Sequence, residues 1–242
     1  MNRILFESNE IKDGLVSFGG VRAEHVLTIL HGEVGQILKT GEIGGRIGTS
    51  EILAIESDRI TVRTHHESES LKPWVDLILA PPRPRVMKRL LPQLATLGVG
   101  RIILVGAKKV EKDFWGATLL KEENYRPLLI DGLMQAGTSI LPEIAVVRNF
   151  RRWVKDEMDA AFPTRNRVVA HPYGGAALSP TVQPMDGRLL LAVGPEGGWT
   201  DEEVESLEAK GFRRQSLGPR ILRTDTALIA LLARFMDVNE RT

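Results

Sequence analysis

An apolar strand followed at once by a glycine-rich turn constrains this chain more than any other stretch. Leu189–Val193 is continuously apolar and lies between two glycines, which predicts a strand buried on both faces. The turn Gly194-Pro195-Glu196-Gly197-Gly198 follows, and its glycines let backbone N–H groups come close to a ligand. Thr200 and Glu203 have the spacing of a capping box, so a helix is expected to begin there. The sequence therefore predicts a ligand-binding platform of strand, turn and helix start.

A second turn with glycine and proline lies shortly after the first. Residues 217–227 are LGPRILRTDTA, between a predicted strand at about 214–217 and a predicted helix from about Thr224 to the C-terminus. Two such turns so close along the chain favour two loops that converge on one ligand.

The pair GPEGG and LGPRILRTDTA resembles the RsmE family, bacterial methyltransferases of 16S ribosomal RNA within the trefoil-knotted SPOUT superfamily. The resemblance is dense over residues 187–235 and colinear over the rest of the chain. It implies an α/β protein with an N-terminal PUA-like β-barrel and a C-terminal SPOUT domain. The parallel sheet of that domain would be flanked by helices and would carry a C-terminal trefoil knot.

The apolar pattern along the chain changes near residue 70. Residues 1–66 carry short apolar runs separated by Gly and Asp, with one helical stretch at 21–30, which predicts a small barrel with one helix. The polar stretch 67–73 ends in proline and marks a boundary. We expect a β-barrel RNA-binding domain at 1–70 and a SPOUT methyltransferase domain at 74–242.

Apolar strands alternate with helical stretches after Trp74, which predicts a parallel sheet covered on both faces. Pro92 lies inside the first predicted helix, which is expected to be kinked there or to begin later. The predicted strands are 75–80, 101–105, 144–147, 167–170 and 189–193, and the predicted helices are 84–97 and 119–135.

The position of the glycine turns argues against two common nucleotide-binding folds. A Rossmann fold carries its glycine turn after the first strand, where this chain has Pro81-Pro82-Arg83-Pro84. A P-loop needs Gly-Lys-Ser/Thr, which the sequence lacks. The chain has no cysteine, no run of 18 apolar residues and no signal-peptide pattern. A cytoplasmic protein that binds neither a membrane nor a metal is expected.

The resemblance implies S-adenosylmethionine as the cofactor, held mainly by backbone groups of three loops, with an apolar lining. Transferred to this sequence, the cofactor-binding residues are Ala170, His171, Pro172, Val193, Gly194, Pro195, Glu196, Gly197, Gly198, Leu217, Gly218, Arg220, Ile221 and Leu222.

The implied reaction is methyl transfer to N3 of a uridine in 16S rRNA. N3 of neutral uracil carries a proton, so the enzyme must remove it or stabilise the resulting anion. Glu196 and Asp225 are candidate bases, although each carboxylate could instead stabilise a helix N-terminus by its charge. Arg220 and Arg223 are candidates for stabilising the anion or binding RNA, and are otherwise surface cations.

The sequence departs from the family pattern at several charged positions. His31 stands in place of an arginine, Thr96 in place of a glutamate, and Lys109 in place of an arginine. Met134 and Thr138 replace a glutamate and an arginine. These changes leave open the exact target nucleotide, and they leave two alternatives: a SPOUT methyltransferase acting on another RNA, and a non-catalytic RNA- or ribosome-binding protein.

The expected partner is 16S rRNA, either free or in the assembled small ribosomal subunit, and no DNA-binding role is expected. A net charge of +1 means that any RNA contact must come from local patches. Residues 226–236 are apolar nearly all round, so the last helix is predicted to be buried on more than one side. With the family resemblance, this predicts a homodimer.

Overall fold

The computed structural model describes residues 2–174, 176–177 and 188–239. These residues form two compact units. The first comprises Met1–Lys72 and Ile130–Leu141, and the second comprises Pro73–Leu129 and Pro142–Thr242. The predicted division at residues 70–74 was linear, and it did not include the 130–141 segment in the first unit.

The first unit contains a five-stranded mixed sheet in the order β1-β3-β4-β5-β2. β1 and β3 pair in parallel, and the remaining neighbours are antiparallel. Two register shifts between β4 and β5 accompany the curl of this sheet. Its core includes Phe6, Phe18, Ile52 and Ile60, with Val26 from the helix that follows the second strand. The elements are β1 (Ile4–Phe6), β2 (Leu15–Phe18), α1 (Gly20–Thr28), β3 (Ile37–Glu42), β4 (Ile47–Glu56) and β5 (Arg59–Ser68).

The 130–141 segment joins the first unit through a buried serine. The side chain of Ser139 is fully buried, its N–H donates to Ser70 Oγ at 2.9 Å, and its Oγ donates to the Gly45 carbonyl at 2.6 Å. Arg3 adds a second attachment, because its Nε donates to the Gly137 carbonyl at 2.9 Å and its Nη1 donates to the Thr40 carbonyl at 2.7 Å.

The second unit contains a seven-stranded sheet in the order β10-β12-β9-β11-β6-β7-β8, and every pair in it is parallel. The parallel sheet predicted from the apolar strands is confirmed. The strands are β6 (Val75–Leu79), β7 (Val99–Val105), β8 (Glu143–Val147), β9 (Arg167–Ala170), β10 (Ala176–Ala177), β11 (Leu189–Val193) and β12 (Arg213–Ser216).

Helices flank this sheet and supply part of its apolar core, including Phe150, Trp153, Val204 and Leu207. α2 begins at Pro84 and runs through Pro92 to Thr96, so the predicted alternative of a later start is wrong. Proline suits the first helical position because its fixed φ matches the helix and its missing N–H is not needed there. The other helices are α3 (Glu122–Ala136), α4 (Phe150–Asp156), α5 (Met158–Ala161), α6 (Asp201–Glu208) and α7 (Thr224–Asn239).

Within a single copy of the chain the last helix is buried along one side only, with Ala233 exposed, whereas its apolar pattern predicted burial on more than one side. In α7, Leu228, Leu231, Leu232 and Phe235 are each at most 1% exposed. Within the described residues, no helix is long and apolar enough to cross a membrane.

A buried carboxylate ties three parts of the second unit together. Asp76 on β6 is 2% exposed. Its Oδ2 accepts a hydrogen bond from Arg101 Nη2 at 2.8 Å, and its Oδ1 accepts one from Arg188 Nη1 at 3.2 Å. Arg101 lies on β7, and Arg188 directly precedes β11, so one charged group links neighbouring strands.

Candidate functional site

Three strand-end loops meet at one edge of the parallel sheet and enclose a cavity of about 290 Å³. β12, β9 and β11 are neighbours and parallel, so their carboxyl ends lie at the same edge. The loops at 170–173, 193–199 and 215–222 form the walls, and Thr224, Ala227 and Leu231 of α7 complete the lining. The volume is close to the lower end of the roughly 300–1,000 Å³ typical of small-molecule sites.

Every residue that the family resemblance assigned to the cofactor lines this cavity. Of the four candidate catalytic residues, Glu196 and Arg220 line it, whereas Arg223 and Asp225 are outside the lining. Trp199, Gln215 and Leu231 also line the cavity, although the sequence motifs did not assign them to the cofactor site. The first two adjoin the glycine motifs, and that adjacency was the available signal. The full set of additional lining residues is Tyr173, Trp199, Gln215, Ser216, Thr224, Ala227 and Leu231.

The turn after β11 requires glycine at two positions for two different reasons. A Cβ at Gly194 would lie 3.0 Å from the backbone nitrogen of Trp199 and 3.2 Å from its Cδ1 atom, so a side chain there would force the backbone and ring of Trp199 to shift. Gly198 has a φ of +69°, a conformation that other residues rarely adopt. Its N–H donates to the Pro195 carbonyl at 2.8 Å and closes the turn.

Two neighbouring loops hold this turn from outside the cavity. Glu196 Oε1 accepts a hydrogen bond from the Arg83 N–H, at the end of the loop after β6, at 3.1 Å. Lys109, in the loop after β7, donates from Nζ to the Gly197 carbonyl at 2.8 Å. The turn is therefore connected to the loops that follow β6 and β7, the next two strands of the sheet after β11.

Glu203 fixes the start of α6 next to the turn. It is 3% exposed, and its Oε2 accepts from the Thr200 N–H at 2.9 Å while Thr200 Oγ1 accepts from the Glu203 N–H at 3.3 Å. This pair is the capping box that the sequence predicted. Glu203 Oε1 also accepts from the Lys108 N–H at 2.8 Å, so the same carboxylate holds the loop after β7.

Two buried polar atoms of the lining residues have no hydrogen-bond partner in the described part of the chain. They are Trp199 Nε1, a donor, and Gln215 Oε1, an acceptor. Trp199 is 3% exposed, and its ring stacks on Phe150 with centroids 5.3 Å apart. A buried polar group without a partner costs roughly 1–3 kcal/mol. The lining thus has one unmet donor and one unmet acceptor, which a polar ligand could satisfy.

His171 is engaged within its own loop. Its backbone N–H donates to the Gln215 carbonyl at 3.0 Å, which extends the β9–β12 pairing. Its ring Nδ1 lies 2.8 Å from the Tyr173 carbonyl oxygen and 3.2 Å from the Tyr173 nitrogen. This ring therefore stabilises the loop that lines the cavity.

The remaining charged residues lie at the rim. The side chains of Arg220 and Arg223 are exposed and form no ion pair with any described residue. Asp225 Oδ1 accepts from the Thr226 N–H at 3.0 Å, and its Oδ2 lies 3.5 Å from Arg89 Nη2. An aspartate in the first turn of α7 favours the helix electrostatically, as the capping interpretation predicted. The described residues contain no group of three His, Asp or Glu side chains that could hold a metal ion.

Comparison with known proteins gives the family. A family model described as an RNA methyltransferase domain matches residues 68–236. A ribosomal RNA small subunit methyltransferase E (RsmE) from Treponema pallidum is 33% identical to this chain, over 96% of this chain and 90% of its own length. This chain belongs to the RsmE family. Ribosomal RNA small subunit methyltransferase E 1 from Borreliella burgdorferi is 26% identical, over 95% of each chain.

Solved structures show the same fold. The crystal structure of the RsmE protein from Neisseria gonorrhoeae bound to S-adenosyl methionine matches 98% of each chain, with a TM-score of 0.76 and 21% sequence identity. The combination of a parallel sheet, flanking helices and a curled mixed sheet is therefore shared with a member of the RsmE family.

Proposed function

We propose that this chain is an S-adenosylmethionine-dependent methyltransferase that modifies N3 of a uridine in 16S rRNA. The observation that carries the proposal is the cavity at the carboxyl ends of β9, β11 and β12, because all the residues that the RsmE resemblance assigns to the cofactor line it. The names of the relatives support ribosomal RNA of the small subunit as the substrate. The uridine and its N3 position rest on the family resemblance alone.

The chemistry of the cavity fits S-adenosylmethionine. The molecule has a carboxylate and adenine ring nitrogens that accept hydrogen bonds, and amino groups that donate them. Trp199 Nε1 needs an acceptor and Gln215 Oε1 needs a donor, so a ligand with both kinds of group suits the pair. Leu217, Ile221 and Leu222 are 38%, 70% and 37% exposed and supply apolar surface for the rest of the ligand.

S-adenosylmethionine, when bound, supplies a methyl group on a positively charged sulfur, which a deprotonated uracil N3 can accept. The residues of this chain must therefore remove the N3 proton or stabilise the anion that its loss leaves on the uracil. Glu196 is the candidate base that lines the cavity, and only its Oε1 atom is used by the Arg83 N–H. Asp225 is engaged by Thr226 and Arg89. We therefore assign proton removal to Glu196 and helix stabilisation to Asp225.

The two rim arginines suit the charge that develops on the uracil. Loss of the N3 proton places negative charge on the oxygens O2 and O4, where guanidinium groups form strong charge-assisted hydrogen bonds. Arg220 and Arg223 are exposed and free of ion pairs within the described residues, so no acidic group competes for them. A positively charged sulfonium would gain nothing from either arginine, which favours the RNA base or its phosphates as their partner.

The architecture carries three further proposals. We infer that residues 217–239 pass through a loop of the second unit to form a trefoil knot, and that the curled sheet of the first unit closes as a PUA-like barrel that binds RNA. We also infer a homodimer in the cytoplasm. Ile221, at 70% exposure beside α7, supports apolar contact with a second copy. Light scattering at micromolar concentration tests the dimer, and a monomer would contradict it.

The decisive experiment is methyl transfer by the wild-type protein. S-adenosylmethionine with a labelled methyl group is incubated with 16S rRNA, with small ribosomal subunits and, as a separate arm, with tRNA. We expect one N3-methyluridine in 16S rRNA, identified by nuclease digestion and mass spectrometry. Transfer only to tRNA would move the assignment to another RNA. Cofactor binding without any transfer would favour the non-catalytic alternative.

Arg223 gives the sharper test of the catalytic assignment. Arg223→Ala should lower single-turnover methyl transfer by roughly 10²–10³, the usual cost of losing one anion-stabilising donor. Cofactor affinity should stay within a few-fold of the wild type, because Arg223 does not line the cavity. Arg234→Ala, an exposed arginine further along α7, is the matched control. Loss of cofactor binding with transfer retained at saturating cofactor would contradict the role.

A further inference from the structure

The start of α2 carries a concentration of positive charge without any acidic residue. Arg83, Arg85, Lys88 and Arg89 fall within seven consecutive positions, and α2 has no acidic residue in its first turn. All four side chains are exposed, while Met87, Leu90, Leu91, Leu94 and Ala95 form the buried side of the helix. We call Arg85, Lys88 and Arg89 the α2 basic face, because spacings of three and four place them on one side of the helix.

The helix itself is destabilised by this arrangement. Cations in the first turn oppose the helix dipole, and like charges spaced at i,i+3 and i,i+4 repel one another, each at a cost of a few tenths of a kcal/mol. α6 in the same unit has the usual arrangement, with Asp201, Glu202 and Glu203 in its first turn. The basic first turn of α2 disfavours its own helix, and residues of this kind are expected where they serve a function such as binding a ligand.

The protein neutralises only part of this charge. Arg83 pairs with Glu111 at 2.9 Å, and Arg89 lies 3.5 Å from Asp225. Arg85 and Lys88 form no ion pair with any described residue. Two unpaired cations on one helical face are therefore available to an external anion.

The α2 basic face lies next to the rim of the cavity. The N-terminal end of α2 contacts the glycine turn, since the Arg83 N–H donates a hydrogen bond to Glu196. Further along, Arg89 lies 3.5 Å from Asp225 at the start of α7, two residues after Arg223. Positive side chains therefore continue from α2 to Arg223 and Arg220 at the cavity rim, although the net charge of the chain is only +1.

We propose that the α2 basic face binds phosphates of the RNA strand beside the target base. This inference rests on the proposed function, because it names the part of the surface that would hold the substrate next to the cavity. RNA offers a row of closely spaced negative charges, and each cation that contacts a phosphate releases a counterion and strengthens binding. Arg85 and Lys88 carry the proposal because neither forms an ion pair with any of the described residues.

The test compares two double variants with the same chemistry. Arg85→Gln with Lys88→Gln removes two charges from α2 and keeps good helix formers. Arg152→Gln with Lys155→Gln makes the same change, at the same spacing, on exposed positions of α4. Binding of 16S rRNA is measured over a range of KCl concentrations, with calorimetry for S-adenosylmethionine and steady-state kinetics for methyl transfer.

We expect the α2 variant to lose about tenfold in RNA affinity near physiological salt. The slope of log K against log[KCl] should become shallower by about 1.4, or ~0.7 for each lost phosphate contact. Its KM for RNA should rise while kcat at saturating RNA and the affinity for S-adenosylmethionine stay within about twofold. The α4 variant should match the wild type in every measurement.

Three outcomes would overturn the inference: an unchanged salt slope in the α2 variant, an equal loss in the α4 variant, or a loss of cofactor affinity that reveals damage to the cavity. In each of these cases methyl transfer by the wild type would still support the proposed function. If the wild type neither binds nor methylates rRNA, the proposed function and this inference both fail. Tight, salt-sensitive binding of an acidic protein in place of RNA would assign the face to a protein partner.

Discussion

The ammonium nitrogen of Lys109 lies 2.8 Å from the carbonyl oxygen of Gly197, and this hydrogen bond joins the loop after β7 to the glycine turn after β11. The stem of Lys109 also covers the turn, because a Cβ added at Gly197 would lie 3.0 Å from Lys109 Cδ. Lys109 therefore lies on the outer side of the turn, and the opposite side faces the cavity. The position of this turn should depend on a side chain that lies outside the cavity lining.

Replacing Lys109 by alanine should weaken cofactor binding. The variant loses one charged hydrogen bond to the turn, and a net loss of about 1 kcal/mol corresponds to roughly fivefold in affinity. Calorimetric titration with S-adenosylmethionine measures it. Lys112→Ala, an exposed lysine in the next stretch of chain, is the control and should bind as the wild type does. Equal affinity of the two variants would show that the turn holds its position without Lys109.

Replacing Trp199 by phenylalanine should lower the affinity for S-adenosylmethionine without lowering the free energy of unfolding. The smaller ring keeps the stack on Phe150 and removes the buried N–H that has no partner. The free energy of unfolding without ligand should therefore stay the same or rise by up to about 1 kcal/mol. If the N–H donates to the cofactor, affinity should fall about five- to tenfold.

Urea unfolding and calorimetry provide the two measurements for Trp199. Trp153→Phe is the matched control, since Trp153 is also buried but does not line the cavity. Wild-type affinity in Trp199→Phe would remove the indole N–H from the set of cofactor contacts.

Replacing Asp76 by alanine should destabilise the second unit strongly. The change removes the carboxylate that Arg101 and Arg188 share. Loss of one partner from a buried ion pair lowers the free energy of unfolding by about 3–5 kcal/mol. Because both arginines are partly exposed, we expect a value near the lower end, about 3 kcal/mol. Urea unfolding measures it. Glu111→Ala, which breaks an ion pair with Arg83 that is exposed on both sides, should cost less than about 1 kcal/mol.

The stability of the first unit should fall in mild acid because of His66. Burial lowers the pKa of His66 below its usual value of 6.5, and the ring Nε2 lies 2.8 Å from Thr40 Oγ1. The unfolded chain then binds a proton more readily than the folded one, so the contribution is fully present above pH 6.5 and decreases as the pH falls below it.

Thermal unfolding at pH 7.5, 6.5 and 5.5 checks this expectation. His66→Gln should flatten the decrease in melting temperature between pH 7.5 and 5.5, while His65→Gln, at an exposed neighbour, should not. Glu10 does not affect this comparison, because its hydrogen bond with Arg22 holds the pKa of Glu10 below its usual value, and so below the pH range of the measurement. An unchanged pH dependence in His66→Gln would assign the effect to other groups.

Several strands of the second unit were predictable because they are largely apolar runs ended by glycine or a charged residue, as in β7, β8 and β11. Leu189–Val193 and Arg167–Ala170 have the predicted bounds. α4 and α5 were not predicted, since helices of seven and four residues are too short to show a helical period, and β10 has only two residues.

The order of the strands could not be derived from local patterns. The position of β12 between β9 and β10 depends on how distant segments pair. The closeness of the two glycine turns along the chain predicted that they meet at one ligand, and the family resemblance added the loop at 170–172. The unpartnered buried atoms of Trp199 and Gln215 could not be predicted from sequence, because whether an atom has a hydrogen-bond partner depends on the three-dimensional structure. The ion pair between Arg89 and Asp225 likewise joins residues whose proximity no local pattern indicates.

The buried Ser139 has a consequence for any attempt to isolate one unit. The chain passes from one unit to the other between Lys72 and Pro73, returns between Leu129 and Ile130, and leaves again between Leu141 and Pro142. A fragment that begins at Pro73 would carry Ser139 without Ser70 and Gly45, and a fragment that ends at Lys72 would lack Ser139 altogether. No single proteolytic cut and no single gene fusion point yields either unit intact. The two units are therefore expected to have been inherited together, since exchange of one of them by recombination would need several simultaneous junctions.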